Sequence, residues 1–191
     1  KKHTCNIKLG SGRAGNVIGG GDWAKDRIVV DCMEAWSKKL TVEIRSPEAT
    51  RPWQHVLEPL SGYLNLGAEL YKDDSLHGEA FNFGPRAEQN HTVKQLLEDL
   101  SKYWHFTSVD NAFTITDNIP FHEAGLLKLN CDKALFFMKW QANMEYKNTI
   151  RFTSEWYYNF YNSETNILDK TLEQIAEYEN MAKCKELNWT E

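Results

Sequence analysis

The stretch RAGNVIGGGDWAKDRIV, residues 13–29, decides the fold class. Residues 14–18 read as a short strand that runs into Gly19-Gly20-Gly21, where the backbone must turn sharply or come close to something else. Ile28, Cys32, Ala35 and Trp36 follow at helical spacing within residues 26–38. Strand, glycine loop and helix in that order make an α/β unit, and the helix starting near Asp26 offers a positive N-terminal end to a phosphate. Taken alone, the three glycines read as a plain tight turn. They form neither a dinucleotide fingerprint nor a nucleoside-triphosphate loop.

Outward from this unit, Val42–Arg45 alternates as a half-exposed strand closed by Pro47, and residues 54–57 form the next extended piece. Leu60, Leu64, Gly67 and Leu70/Tyr71 define an amphipathic helix after Pro59, with Gly67 small enough for close packing. Ala80–Phe83 is a compact strand stopped by Gly84-Pro85. Thr92–Gln95 carries a capping-box pattern that opens a helix with Val93, Leu96, Leu97, Leu100 and Trp104 as its apolar stripe. Phe113–Thr116 and Leu127–Leu129 are further candidate strands, and Asn130 is placed to cap a short helix over 133–138. Two longer helices end the chain, one with Tyr146, Ile150, Trp156/Tyr157 and Phe160 on a face. The other presents Ile167/Leu168, Leu172, Ile175, Tyr178 and Met181/Ala182. We expect an α/β fold in which the last strands of a Rossmann-like sheet grade into a helix-rich C-terminal lobe, with residues 1–191 as one domain. The strands at 14–18 and 80–83 would leave an unpaired edge, which predicts association with a second copy or with a missing half.

With 41% hydrophobic and 26% charged residues, the 191-residue chain has an ordinary globular composition. Its net charge of −5, with both signs interleaved, argues against a nucleic-acid or anionic-membrane partner. The apolar runs fall far short of the roughly 20 residues a bilayer span needs, and we expect a cytoplasmic protein. Cysteines at 5, 32, 131 and 184 are too scattered for structural zinc or a disulfide framework, and no H-E-x-x-H pair occurs.

Two segments, residues 13–29 and RPWQHVLEPLSGYL at 51–64, together resemble the later half of an extended short-chain dehydrogenase/reductase acting on a nucleotide sugar. The form RAGNVIGGGDWAxDRI is most similar to the CDP-glucose 4,6-dehydratase branch. GEAFNFGP at 78–85, FHEAGLLKLNCDKA at 121–134 and LDKTLEQIAEYE at 168–179 resemble further stretches of that branch, in its order. Two departures are mild: Val30 stands where relatives usually have Pro, and Asn130 where they usually have Asp. The large departure is the front half of such an enzyme. We find no Tyr-x-x-x-Lys catalytic pair and read no glycine-rich dinucleotide loop in these residues.

The resemblance implies that Asn16, in the R-x-x-N-x-x-G pattern of Arg13, Asn16 and Gly19, hydrogen-bonds substrate near its pyrophosphate. Asp22, Trp23 and Arg27 would lie beside the sugar nucleotide. Arg51 would fork onto a phosphate, work suited to a planar guanidinium, although an exposed Arg more commonly joins an ion pair. Val42 and Ile44 fall where relatives pack the base, with ordinary strand core as an equal reading. Asn82 would face the nucleotide and His122 would touch it. Trp53 reads as core, His55 as a hydrogen-bonded structural residue, and Lys128 and Lys133 as structural or surface charges. The implied parent reaction is that of a lyase in deoxysugar and lipopolysaccharide biosynthesis. A bound NAD takes hydride from C4 of CDP-glucose, water leaves with the C6 hydroxyl, and the hydride returns to C6. The parts that perform those steps belong to the missing half, so no catalytic residue is assigned and the chain is expected to supply substrate grip. The alternatives are a noncatalytic nucleotide-sugar-binding module, a part of another nucleotide-sugar dehydratase or epimerase, and a remnant that binds nothing.

Overall fold

A computed structural model describes residues 7–116 and 128–190 of the chain. Among these residues the strands pair two by two. β1 (Ser11–Ala14) runs parallel to β6 (Ala80–Phe83), with Ser11 opposite Ala80 and Ala14 opposite Phe83. β2 (Val17–Ile18) runs parallel to β5 (Gln54–His55), and β3 (Val42–Ile44) to β8 (Phe113–Ile115). β4 (Thr50–Arg51) pairs antiparallel with β7 (His91–Thr92). The helices are α1 (Ile28–Ser37), α2 (Leu57–Lys72), α3 (Val93–Ser101), α4 (Asp132–Met138), α5 (Tyr146–Asn162) and α6 (Ile167–Cys184). The architecture is the expected α/β one with a helix-rich C-terminal end.

The single strand expected over 14–18 is two. The chain changes partners there, from β6 to β5, and the bend falls at Gly15 and Asn16. A Cβ on Gly15 would sit 2.9 Å from Leu129 and 3.0 Å from Pro52, so only glycine passes this point undistorted. Contrary to the expectation of no glycine-rich dinucleotide pattern, the spacing G-x-G-x-x-G occurs once, at Gly10, Gly12 and Gly15. It forms no phosphate loop, because residues 11–14 are β1 and the Tyr63 ring covers Gly12, 2.6 Å from where its Cβ would stand. Extended backbone packed under a ring cannot wrap a pyrophosphate.

The capping box at Thr92 and Gln95 forms with both reciprocal hydrogen bonds, and Leu96, Leu97 and Leu100 are fully buried beneath α3. Asn130 does not cap α4: the N-cap is Cys131, without a side-chain hydrogen bond, and Asn130 stands one residue before it, its Oδ1 accepting from the Asp132 N–H at 2.9 Å. Residues 128 and 129 are not in a strand; Leu127 lies outside the described residues.

α2 faces the other way from its apolar periodicity. Leu60, Leu64 and Tyr71 are exposed (45%, 77% and 87%), and of the expected stripe only Leu70 is buried. Gly62, not Gly67, allows the close approach: a Cβ on Gly62 would lie 2.2 Å from the Phe83 ring, whereas nothing stands within 4 Å of one on Gly67. The buried face instead carries Glu58, Ser61 and Asn65 beside Leu66 and Leu70. α6 departs only in part: Tyr178 and Ala182 of its expected stripe are buried, but Leu168 and Leu172 are exposed and Gln174 is buried, its Nε2 donating to the Phe152 carbonyl at 2.8 Å. Inward polar side chains with dedicated partners defeat a hydrophobic-face count.

One core joins α1, α3 and α5 through Val29, Met33, Trp36, Leu96, Leu100, Ile150 and Tyr157. A second lies under α2 and β6, around Phe81, Phe83, Leu66 and Trp140. Ile18 of β2 and Ile44 of β3 also belong to the first.

Candidate functional site

A cleft of about 1000 Å³ opens where the bend after β1, the start of α1 and the end of β3 converge. Ala14 to Gly19 supply one side, and Ile28, Val29 and Val30 bring the first turn of α1 to another. Residues 42–46, Arg51, Trp53 and Val93 close a third, and Tyr63 and Tyr157 reach in from α2 and α5. No side chain caps the N-terminus of α1, whose positive end meets the cleft with the Asp31 carboxylate in its first turn.

Arg27, Arg45 and Arg51 line the cleft, as do Asp22, Asp26, Asp31 and Glu43. Asp22 pairs with Arg27 at 3.3 Å, and its Oδ1 accepts from the Ala24 N–H at 3.0 Å. Arg51 Nη1 donates to the Thr50 carbonyl at 2.9 Å. Burial pushes the Asp31 carboxyl above the ordinary range, and the Asp26 charge pushes it the same way. Tyr157 is fully buried and donates its hydroxyl to the Asp22 carbonyl at 2.7 Å. Burial raises its phenol well above the usual value, so it remains a donor.

The turn at Gly20 and Gly21 has a local cause. Gly21 takes φ +80, and a Cβ on Gly20 would lie 2.0 Å from the Trp156 ring. Gly19 faces the cleft. His55 is buried, its Nδ1 accepts from the Leu57 N–H at 3.4 Å, and burial lowers its pKa to about 3. A neutral structural imidazole results. Trp53 is buried core that also borders the cleft, and its Nε1 donates to the His91 carbonyl at 3.2 Å. Lys133 pairs with Glu79 and lies over the Phe81 ring, a structural place.

Of the residues singled out in the sequence, Asn16, Asp22, Arg27, Ile44 and Arg51 share this cleft. Trp23 packs instead with Trp156, Tyr157 and Phe160, half exposed beside the cleft's Asp22. Asn82 donates to the Asn130 carbonyl at 2.9 Å, away from the lining. His122 lies outside the described residues. Val93 and Tyr157 were read only as helix residues and Tyr63 was given no role; the long-range folding that brings them here leaves no local signal. Among the described residues no group of His, Cys, Asp or Glu could hold a metal, and no helix is long and apolar enough to cross a membrane. With Gly10, Gly12 and Gly15 committed to β1 and its bend, the described residues do not fit a dinucleotide cradle.

No family model matches the chain. It is 39% identical over 174 residues to CDP-glucose 4,6-dehydratase of Salmonella typhimurium, an alignment covering 90% of this chain and 47% of that protein. The chain thus spans about half the length of this curated relative. Among solved structures, a UDP-glucose-4-epimerase from Stenotrophomonas maltophila with bound NAD and formylated UDP-arabinopyranose matches with a TM-score of 0.65. It is 16% identical, over 82% of this chain and 49% of that one. A dTDP-glucose 4,6-dehydratase from Bacillus anthracis in complex with NAD matches at 0.62 and 13% identity, over 79% and 44%. At these identities the structural matches establish a shared fold.

Proposed function

We propose, on the premise that this chain is homologous to CDP-glucose 4,6-dehydratase and belongs with the nucleotide-sugar epimerases and dehydratases, that it is the substrate-binding portion of such a dehydratase. The observation that carries this reading is the convergence of Asn16, Asp22, Arg27, Ile44 and Arg51, distant in sequence, on one cleft. In this reading Arg51 and the uncapped start of α1 hold the diphosphate, the first by a charge-assisted fork and the second by its oriented N–H groups. Asn16 supplies a neutral hydrogen bond near the same phosphates. Val42, Ile44 and Val93 offer an apolar wall to the base, and Asp22 and Arg27 stand towards the sugar.

The chain's own contribution is then to hold and orient the hexose, which is a large share of catalysis in any two-part site. The dehydration itself requires NAD, and the described residues form no cradle for it. The hydride chemistry is assigned to a cofactor-binding portion outside these residues, and the isolated chain is expected to bind without turnover.

Isothermal titration of CDP-glucose into the purified chain tests this, with UDP-glucose and dTDP-glucose as competitors for the assignment. We expect binding that prefers CDP-glucose and falls at least ten-fold in Arg51→Ala, since a hydrogen bond to a charged group is worth about 1.5–3 kcal/mol. A folded chain that ignores all three nucleotide sugars would end the proposal. Equal affinity for the three would leave a nucleotide-sugar site but remove the CDP assignment.

A further inference from the structure

The loop from Gly19 to Asp22 borders the cleft, yet three successive glycines are a poor way to hold any shape, because glycine loses the most backbone freedom on being fixed. Its rigidity has to come from elsewhere in the fold. α5 is where it comes from. The Tyr157 hydroxyl reaches the Asp22 carbonyl at 2.7 Å from a position 135 residues away. The Trp156 ring lies against Gly20, so closely that a Cβ there would stand 2.0 Å from it. Trp156 is itself fixed. Its Nε1 donates to Thr171 Oγ1 at 2.9 Å, that hydroxyl donates to the Ile167 carbonyl at 2.8 Å, and Phe160 stacks on the indole at 5.6 Å and 8°. On the loop's far end Trp23 closes over the same rings, 4.9 Å from Phe160.

We propose that Trp156 and Tyr157 are positioning residues: they brace the glycine loop from α5, with Thr171 of α6 as the anchor, and so set how tightly the cleft holds the sugar-diphosphate end of its ligand. The inference rests on the nucleotide-sugar reading for the identity of the ligand; the brace itself rests on the contacts. Asp22 lies between the two, its carbonyl held by Tyr157 and its carboxylate paired with Arg27. A loop already in its bound shape spares the ligand the cost of ordering it, and that cost would otherwise appear as lost affinity. The C-terminal helices thereby act on the site through the loop they hold.

The test uses the whole chain and two variants. Tyr157→Phe keeps the buried ring and removes the hydroxyl; Thr171→Val keeps the shape and removes the anchor for Trp156. Amide hydrogen exchange is followed in the ligand-free protein, and the affinities for CDP-glucose and for CMP, which lacks the β-phosphate and the glucose, are measured by titration. We expect exchange at residues 19–23 to quicken roughly five-fold in Tyr157→Phe, the equivalent of one ordinary hydrogen bond, while the amides of α3 are unchanged. CDP-glucose affinity should fall by about the same factor and CMP affinity by less than two-fold. Thr171→Val should move both readouts in the same direction by less. Unchanged exchange at 19–23 in both variants, or an equal rise throughout the chain, would overturn the brace. A wild-type chain that binds no CDP-glucose but shows the localised exchange change would uphold the brace and discard the nucleotide-sugar reading, so the two failures are distinct.

Discussion

The cleft and the junction beneath α2 both draw on the stretch 51–64, and they are built from opposite materials. The cleft is open, lined by charges of both signs, and assembled largely from contiguous runs of sequence at 14–19, 26–31 and 42–46. The junction is closed and polar. Glu58 is 1% exposed and accepts the Asn143 N–H at 2.9 Å together with the Met144 N–H. Ser61 Oγ donates to the Glu58 carbonyl at 2.8 Å and accepts from Trp140 Nε1 at 3.1 Å and the Tyr178 hydroxyl at 3.0 Å. Asn143 Nδ2 donates to the Tyr178 carbonyl, and Lys185 reaches the Asn143 carbonyl. Partners up to 117 residues apart are joined in this way. A ligand can reward an imperfect cleft, but nothing rewards a half-satisfied buried network, so the junction is where the fold is most exposed to mutation.

The sharpest break of the comparison is Glu58→Ala. It strips two buried backbone N–H groups of their acceptor, and at roughly 1–3 kcal/mol for each orphaned group we expect a loss of about 3 kcal/mol in stability. Urea unfolding should show a lower midpoint, while the folded fraction keeps its affinity for CDP-glucose. Arg51→Ala should do the reverse. If Glu58→Ala unfolded no sooner than wild type, the junction would carry no weight.

Acidity separates the regions next. Burial raises the Glu58 carboxyl from 4.5 to about 7, against the pull of the Asn143 and Met144 N–H groups and the Lys185 charge. A carboxyl raised in the folded state keeps its proton where the unfolded chain has lost it. Its stabilising contribution is therefore full below about pH 4.5 and disappears as pH rises through about 7. We expect the stability of wild type minus that of Glu58→Gln to decline across this window. Parallel curves would mean that the N–H groups keep Glu58 ionised throughout.

The same contrast explains what could be seen in the sequence. Asn16, Asp22, Arg27, Ile44 and Arg51 stand in short local patterns, and a local pattern survives in a linear string. The helices were placed for the same reason, since a capping box such as Thr92–Gln95 or a proline in the first turn of α2 acts over a few residues. The buried face of α2 was not legible. Its inward residues include Glu58, Ser61 and Asn65, whose partners come from the end of α4, from 140–144 and from α6, and an apolar count assigns such residues to solvent. Tyr157 escaped notice in the cleft because only the return of α5 brings it to Asp22. Strand β1 was misplaced by its neighbour, since Val17 and Ile18 look continuous with it but pair elsewhere.

Two glycines of α2 give the finest resolution of that inner and outer face. At Gly62 an added methyl would meet the Phe83 ring at 2.2 Å, and Phe83 is fully buried against Trp140, so neither side can yield. Overpacking of this kind costs about 2 kcal/mol, against a gain of about 1 kcal/mol for placing alanine in a helix, and Gly62→Ala should be a net loss. At Gly67 nothing lies within 4 Å and φ is not positive, so the helical gain stands alone and Gly67→Ala should stabilise by about 1 kcal/mol. Thermal unfolding of the two variants should thus move in opposite directions. If Gly67→Ala were instead the damaging one, its face would be the packed one, as the apolar stripe of Leu60, Leu64 and Leu70 had implied, and the assignment of inner and outer faces would have to be exchanged.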